Sequence, residues 1–230
     1  MIDLYSWTTP NGYKIHIMLE ETALAYEAHP INIGEGDQFK PEFLKISPNN
    51  KIPAIVDQDG PGKQPVSIFE SGAILMYLAE KTGRFIPADP RARIEMLQWL
   101  YFQVGHVGPM LGQIHHFRDY APDKIQYAID RYTNEGKRLY GVMDKHLSQA
   151  QYFAGDEYTI ADIAIWPWLR SAAKEGIDMN EYPHVKAWFE KIGERPAVKR
   201  GLEVLQEYKQ DGMSDRAKEV MFGQMQYEKR

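Results

Sequence analysis

The sequence predicts two domains, a small α/β domain at the N-terminus and an all-helical domain behind it. Strand-like and helix-like segments alternate over roughly the first 80 residues, whereas helical periodicity without a convincing strand continues from Arg91 onward. The length of 230 residues also suits two domains of about 100–150 residues each.

The segments of the first domain follow the order β-α-β-α-β-β-α, which predicts a small mixed sheet with helices on its faces. A separator at 59–62, Asp-Gly-Pro-Gly, is typical of a hairpin between the last two strands. The predicted strands are 2–6, 26–33, 52–56 and 66–69, and the predicted helices are 13–24, 41–44 and 73–81.

We expect the α/β domain to occupy residues 1–83, a linker 84–90 and the helical domain 91–208. The polar tail, 209–230, is either a terminal helix lying on the body or on a partner, or a frayed end. Helices of the second domain are predicted at about 91–118, 123–148, 160–174, 182–194 and 197–209.

Composition excludes several classes of function. The net charge is −5 and basic residues form no cluster, so no nucleic-acid partner is expected. No stretch approaches the roughly 20 apolar residues of a membrane span, and a secretory signal is not expected.

The chain has no cysteine, which excludes protein-borne thiol chemistry but leaves thiol chemistry on a bound small molecule open. It also fits a reducing compartment, so we expect a cytoplasmic protein.

Two short motifs carry the main functional signal. Ile52-Pro53 stands at the start of a strand, where proline cannot donate to a ladder, so the bond is either cis, with the Ile52 backbone turned outward, or a trans proline on an edge strand. Glu70-Ser71 opens an apolar helix and, taken alone, is simply a helix start.

Together, K-I-P-A-I (51–55) and F-E-S-G-A-I-L-x-Y-L (69–78) resemble the glutathione site of the glutathione transferase superfamily. The resemblance implies a thioredoxin-like N-terminal domain and a cis Pro53. It also implies that the backbone of Ile52, beside Lys51, pairs with the cysteinyl part of glutathione, and that Glu70 and Ser71 hold its γ-glutamyl end. A carboxylate suits a helix N-terminus and an ammonium needs an acid, so the transfer is chemically reasonable.

The motif T-P-N-G (9–12) follows the first strand. One interpretation is a plain turn with an N-cap, which Thr and Asn make well. The other is that the Thr9 hydroxyl and the Asn11 amide contact the glutathione sulfur and hold it as thiolate at the positive end of the helix. Tyr5 lies inside the strand, where we expect a core role.

With S-P-N-N-K-I-P-A-I-V-D (47–57) and G-P-M-L-G-Q-x-H-H-F (108–117), T-P-N-G is similar to the bacterial Nu class of this superfamily. That resemblance implies a homodimeric, glutathione-dependent disulfide-bond oxidoreductase with two glutathiones or one glutathione disulfide per site. It implies that Gln38 contacts the glycyl carboxylate region and that Arg131 binds the second glutathione. Arg131 on a solvated helix face or in an ion pair is the alternative. Lys14 and Lys40 are weaker candidates, because most lysines are exposed.

We therefore expect an enzyme that reduces small disulfides with bound glutathione, with Thr9 and Asn11 in the catalytic role. A transferase or peroxidase acting on electrophiles or hydroperoxides is the first alternative, and a non-catalytic glutathione-binding module is the second. No metal is expected, because adjacent residues such as His115 and His116 point to different sides of a helix. Thr159 and Asp162 resemble a capping box.

Overall fold

The computed structural model describes residues 1–209 and 212–228. Its sheet has four strands in the order β2-β1-β3-β4, with β1 and β2 parallel and β3 antiparallel to both of its neighbours. The mixed sheet predicted from the sequence is therefore confirmed. The strands are β1, Ile2–Ser6; β2, Tyr26–Pro30; β3, Ala54–Asp57; and β4, Val66–Phe69.

Three helices belong to the α/β part and the others follow it in the chain. None of the helices in the described residues is both long and apolar enough to cross a membrane. The helices are α1, Pro10–Thr22; α2, Pro41–Leu44; α3, Ser71–Thr82; α4, Pro90–Phe102; α5, Gly108–His115; α6, Gln126–Leu147; α7, Ile160–Leu169; α8, Pro183–Gly193; α9, Pro196–Glu203; and α10, Asp215–Phe222.

Helix α1 begins three residues before the predicted start at Tyr13, so that boundary was wrong. Thr9 has extended backbone angles and its side chain accepts from the Gly12 N–H, while Pro10 occupies the first turn, where its missing N–H costs nothing. The helix ends at Thr22, and the next residue, Ala23, adopts a left-handed φ of 55°.

The helical course predicted over 91–118 is present, but it is not uniform. Wide π-type turns at Gln103–Val107 and His116–Tyr120 interrupt it on either side of α5. The helix predicted over 160–174 ends at Leu169, and the one predicted over 197–209 ends at Glu203 before a 3₁₀ turn at Gln206–Tyr208.

The predicted capping box at the start of α7 is confirmed. The Asp162 carboxylate accepts from the backbone N–H of Thr159 at 2.9 Å, from the N–H of Phe153 at 3.1 Å and from the indole N–H of Trp188 at 2.9 Å. Burial raises the pKa of Asp162 to about 6, against the opposing effect of these donors. One buried acid thus fixes the helix start, a preceding loop and α8.

The chain forms two compact units, one of Met1–Leu75 with the described residues from Arg200 onward, and one of Met76–Lys199. The described part of the C-terminal tail packs within the first unit. Val220 of α10 is fully buried, Arg216 lies 3.7 Å from Glu35, and the Gln226 amide donates to Asn50 at 3.2 Å. Of the alternatives predicted for the tail, the described residues therefore adopt the helix that packs on the body of the protein. Positions 210–211 and 229–230 of the tail lie outside the described residues.

Candidate functional site

The turn from β1 into α1 brings Thr9 and Asn11 to the start of the helix. Thr9 Oγ1 accepts from the Gly12 N–H at 3.2 Å. A Cβ at Gly12 would lie 2.1 Å from the Trp7 carbonyl oxygen, so the turn closes only around glycine. The first turn of α1 consequently holds Asn11 at a fixed place beside the sheet.

The peptide bond between Ile52 and Pro53 is cis, so the alternative of a trans proline on an edge strand is wrong. Before it, the buried Ser47 hydroxyl donates to the Lys51 carbonyl at 2.8 Å and fixes the loop that leads to Ile52. Strand β3 begins only at Ala54. Ile52 therefore precedes the ladder, with its backbone outside the strand pairing.

The turn from β4 into α3 supplies the acid and the hydroxyl. Glu70 has a left-handed φ of 69°, a conformation that costs a residue other than glycine about 1–2 kcal/mol. Its side chain is exposed and accepts from the Asn49 amide at 3.4 Å. Ser71 follows as the first residue of α3 and is largely buried. Such strain is kept where function requires a particular backbone direction.

These three turns surround one cavity of about 250 Å³. Its wall combines an ammonium, a carboxylate, amides, hydroxyls and the start of a helix, which together suit a small zwitterionic peptide with carboxylates and an ammonium. The lining residues are Asn11, Ser47, Asn49, Lys51, Ile52, Pro53, Phe69, Glu70 and Ser71.

Three of the predicted site residues lie outside that lining. Thr9 caps α1 directly before Asn11. Gln38 is buried on a 3₁₀ turn, where its amide nitrogen donates to the Ile33 carbonyl at 3.0 Å and its oxygen has no hydrogen-bond partner among the described residues. Arg131 is exposed on α6, in the second unit. The pKa of Glu135 is lowered mainly by the hydrogen bond from Arg138 and to a lesser extent by the charge of Arg131.

Two further candidates have structural roles. The Tyr5 ring is half-buried; it stacks on His29, with ring centres 4.9 Å apart, and packs near Phe43, so it does not belong to the core as expected. The imidazole Nε2 of His115 lies 2.9 Å from the carboxylate of the buried Glu175.

Sequence reasoning underestimated Lys14. Its side chain is only 2% exposed, and its Nζ donates to Ser71 Oγ at 3.1 Å. Burial lowers the pKa of Lys14 to about 7, although the charge of Glu70 acts in the opposite direction. The available signal was spacing, because Lys14 precedes Met18 by four residues and therefore shares the buried face of α1.

Comparison with known proteins extends this picture. Residues 1–80 match the family model described as the glutathione S-transferase N-terminal domain, and residues 97–196 match the C-terminal domain of the same family. Together the two matches cover most of the chain.

Individual proteins resemble the chain over nearly its whole length. The disulfide-bond oxidoreductase YfcG of Escherichia coli is 54% identical, with 88% of this chain and 94% of that protein covered. A glutathione transferase family member from Pseudomonas fluorescens, solved with two glutathione bound, has a TM-score of 0.84 at 50% identity, covering 88% and 92% of the two chains.

A glutathione transferase from Pseudomonas putida, solved with one glutathione disulfide per subunit, has a TM-score of 0.85 at 48% identity, covering 88% and 91%. The sheet order, the cis proline, the cavity and these similarities agree with one another, and the chain belongs to the glutathione S-transferase family.

Proposed function

We propose that the chain is a glutathione-dependent disulfide-bond oxidoreductase that reduces small disulfides with bound glutathione. One observation carries the proposal: in a chain without cysteine, a single cavity joins Asn11 at the start of α1 to Ile52 and to the Glu70–Ser71 turn. The similarity to the disulfide-bond oxidoreductase of E. coli supports the same reaction.

Each part of the tripeptide has a matching group in the cavity. The γ-glutamyl ammonium pairs with Glu70, and the neighbouring carboxylate accepts from Ser71 and the first N–H groups of α3. The cysteinyl backbone pairs with the free backbone of Ile52, as an extended peptide pairs with a strand edge. Lys51, beside the cis peptide, and Pro53 complete that wall.

The sulfur then lies at the start of α1. Thr9 Oγ1 accepts from the helix, so its hydroxyl hydrogen remains available for donation. Together with the Asn11 amide and the positive helix end, this hydrogen stabilises a thiolate, which needs only a modest shift from a free thiol pKa of about 8.5.

The reaction needs two glutathiones. The first thiolate attacks one sulfur of the substrate disulfide, forms a mixed disulfide with glutathione and releases the other half as a thiolate. A second glutathione thiolate attacks the glutathione sulfur of that mixed disulfide, giving glutathione disulfide and the second substrate thiolate. Two electrons pass from two glutathiones to the substrate, and the protein contributes position and hydrogen-bond donors.

The finer assignments form part of the proposal. They are the Nu class, a homodimer, a cytoplasmic location where glutathione is kept reduced, the glycyl contact of Gln38, and the domain limits 1–83, 84–90, 91–208 and 209–230. Light scattering on the purified protein tests the dimer, since a mass near the 26.6 kDa of one chain would contradict it.

The test is the glutathione-dependent reduction of a small symmetrical disulfide, coupled to NADPH oxidation through glutathione reductase. We expect turnover well above background and a loss of about 10²–10³-fold in kcat for Asn11→Ala, the usual effect of removing one such donor. Asn180→Ala is the matched control, because Asn180 is an exposed residue that lines no part of the cavity.

The same preparation, assayed with an aryl halide and with an organic hydroperoxide, separates the alternatives. Disulfide turnover at background together with activity on either compound would replace the proposal by a transferase or peroxidase. Glutathione binding without turnover of any of the three substrates would indicate a non-catalytic module.

A further inference from the structure

A buried cation lies directly behind the cavity wall. Lys14 projects from α1 and donates to the Oγ of Ser71 at 3.1 Å, and both residues are buried. Ser71 lines the cavity, whereas Lys14 is absent from its lining. Lys14 therefore acts on anything in the cavity through Ser71.

The hydrogen bond determines what Ser71 offers to a ligand. A hydroxyl has one hydrogen and two acceptor positions. In its protonated form Lys14 can only donate, so it occupies an acceptor position of Oγ, and the hydroxyl hydrogen then points away from Nζ and is available to an acceptor in the cavity. A carboxylate there receives a hydrogen bond from Ser71 and also lies close to the buried charge.

We propose that Lys14 is a positioning residue that orients Ser71 toward the γ-glutamyl carboxylate of glutathione and takes up a proton when that carboxylate binds. This inference rests on the proposed glutathione site. The buried Lys14 then carries the charge that balances the γ-glutamyl carboxylate. The exposed Glu70, at the same turn as Ser71, balances the γ-glutamyl ammonium.

The expected sign of the pH dependence follows from the surroundings of Lys14. Without ligand, burial holds the pKa of Lys14 at about 7, so much of the amine is neutral at pH 7.5. A bound carboxylate raises that pKa and draws in a proton, and binding therefore weakens as the pH rises above 7. The titratable groups on α1 besides Lys14 are Tyr13, His16, which faces Ser6 of β1, Glu20 and Glu21. Glu20 is paired with Arg200 of α9 and accepts from the Tyr26 hydroxyl of β2, and Glu70 before α3 acts on Lys14 directly.

The first test uses the unaltered protein. S-methylglutathione is the probe, because it has no thiol to release a proton on binding. Titration calorimetry at pH 7.5 in buffers of different ionisation enthalpy gives the number of protons exchanged, and we expect net proton uptake, because part of the Lys14 amine is neutral before the ligand binds. Binding without net proton uptake would overturn the inference.

The second probe is the S-methyl derivative of 4-aminobutyryl-cysteinyl-glycine, which lacks only the γ-glutamyl carboxylate. We expect the proton uptake to disappear with this probe. Uptake that persists would assign the proton to a group other than Lys14 and would overturn the inference, whether or not any variant folds.

The variant is Lys14→Met, which keeps an unbranched buried side chain and removes the charge. Its dissociation constant for S-methylglutathione should rise at least about tenfold at pH 7 and should lose the pH dependence, while the probe without the carboxylate binds wild type and variant equally. Lys45→Met, which removes an exposed lysine of the same domain, should leave all of these values unchanged.

The outcomes separate the two proposals. If neither probe nor glutathione binds the wild-type protein, the proposed function and the inference both fail. If S-methylglutathione binds equally well to wild type and Lys14→Met, with the same pH dependence, the inference fails and the glutathione site stands.

Discussion

Gly12 lies in the first turn of α1, where an added methyl group would collide with the backbone. The Cβ of an alanine would stand 2.1 Å from the Trp7 carbonyl oxygen and 2.8 Å from Ser6 Oγ. To bring the distance between the added Cβ and the Trp7 carbonyl oxygen from 2.1 Å to 3.0 Å, the backbone must shift by about 0.9 Å. The oxygen belongs to the main chain, so rotation of a side chain cannot relieve the contact.

The cost of Gly12→Ala follows from this shift. A movement of that size breaks the 3.2 Å cap between Gly12 and Thr9, which is worth about 1 kcal/mol. Overpacking adds about 1–3 kcal/mol, so the free energy of unfolding should fall by about 2–4 kcal/mol. Asn11 moves with the turn, and a displacement of about 1 Å at a reacting group can lower the rate about 10²-fold.

Urea unfolding measures the first effect and the coupled disulfide assay the second. Gly141→Ala is the matched control, since Gly141 lies inside α6 and an added Cβ there meets nothing within 4 Å. That substitution should stabilise the protein by about 0.5–1 kcal/mol. Equal stability of the two variants, or wild-type activity in Gly12→Ala, would refute the reasoning about the turn.

Three other substitutions have definite expected results. Asp162→Asn should lower the free energy of unfolding by about 3 kcal/mol, because an amide cannot accept from all the buried donors; a urea midpoint within error of wild type would contradict this. Glu70→Gly should raise stability by up to about 1 kcal/mol by relieving the left-handed backbone while weakening glutathione binding in calorimetry; a loss of stability would contradict the strain. Burial lowers the pKa of His16 to about 4, so its contribution to stability is complete above pH 6.5 and is lost as the pH falls from 6.5 to 4. Relative to His16→Gln, wild type should lose about 3 kcal/mol over that window, and parallel pH profiles would contradict it.

Local sequence signals predicted most of the α/β part and most of the cavity wall. The hairpin separator, the helix start at Ser71 and the Ile52-Pro53 pair each act over a few residues, so they are readable without knowledge of the fold. Glu70 and Asn11 were placed by motif resemblance, and the cavity lining includes both.

Other features depend on packing between distant segments. Lys14 is buried because α1 is covered on nearly all sides, which its own sequence does not specify. Strand β3 begins at Ala54, two residues after the predicted start at Ile52. The π-type turns beside α5 have no propensity signal, and α10 is short and polar, so its position relies on the burial of Ala217 and Val220.

A crystal structure of the protein grown with glutathione disulfide tests the central claim most directly. We expect one glutathione with its γ-glutamyl end at Glu70 and Ser71, its cysteinyl backbone paired with Ile52, and its sulfur within about 3.5 Å of Thr9 Oγ1 or the Asn11 amide. A cavity that stays empty at saturating ligand, or a sulfur placed away from the start of α1, would contradict the account.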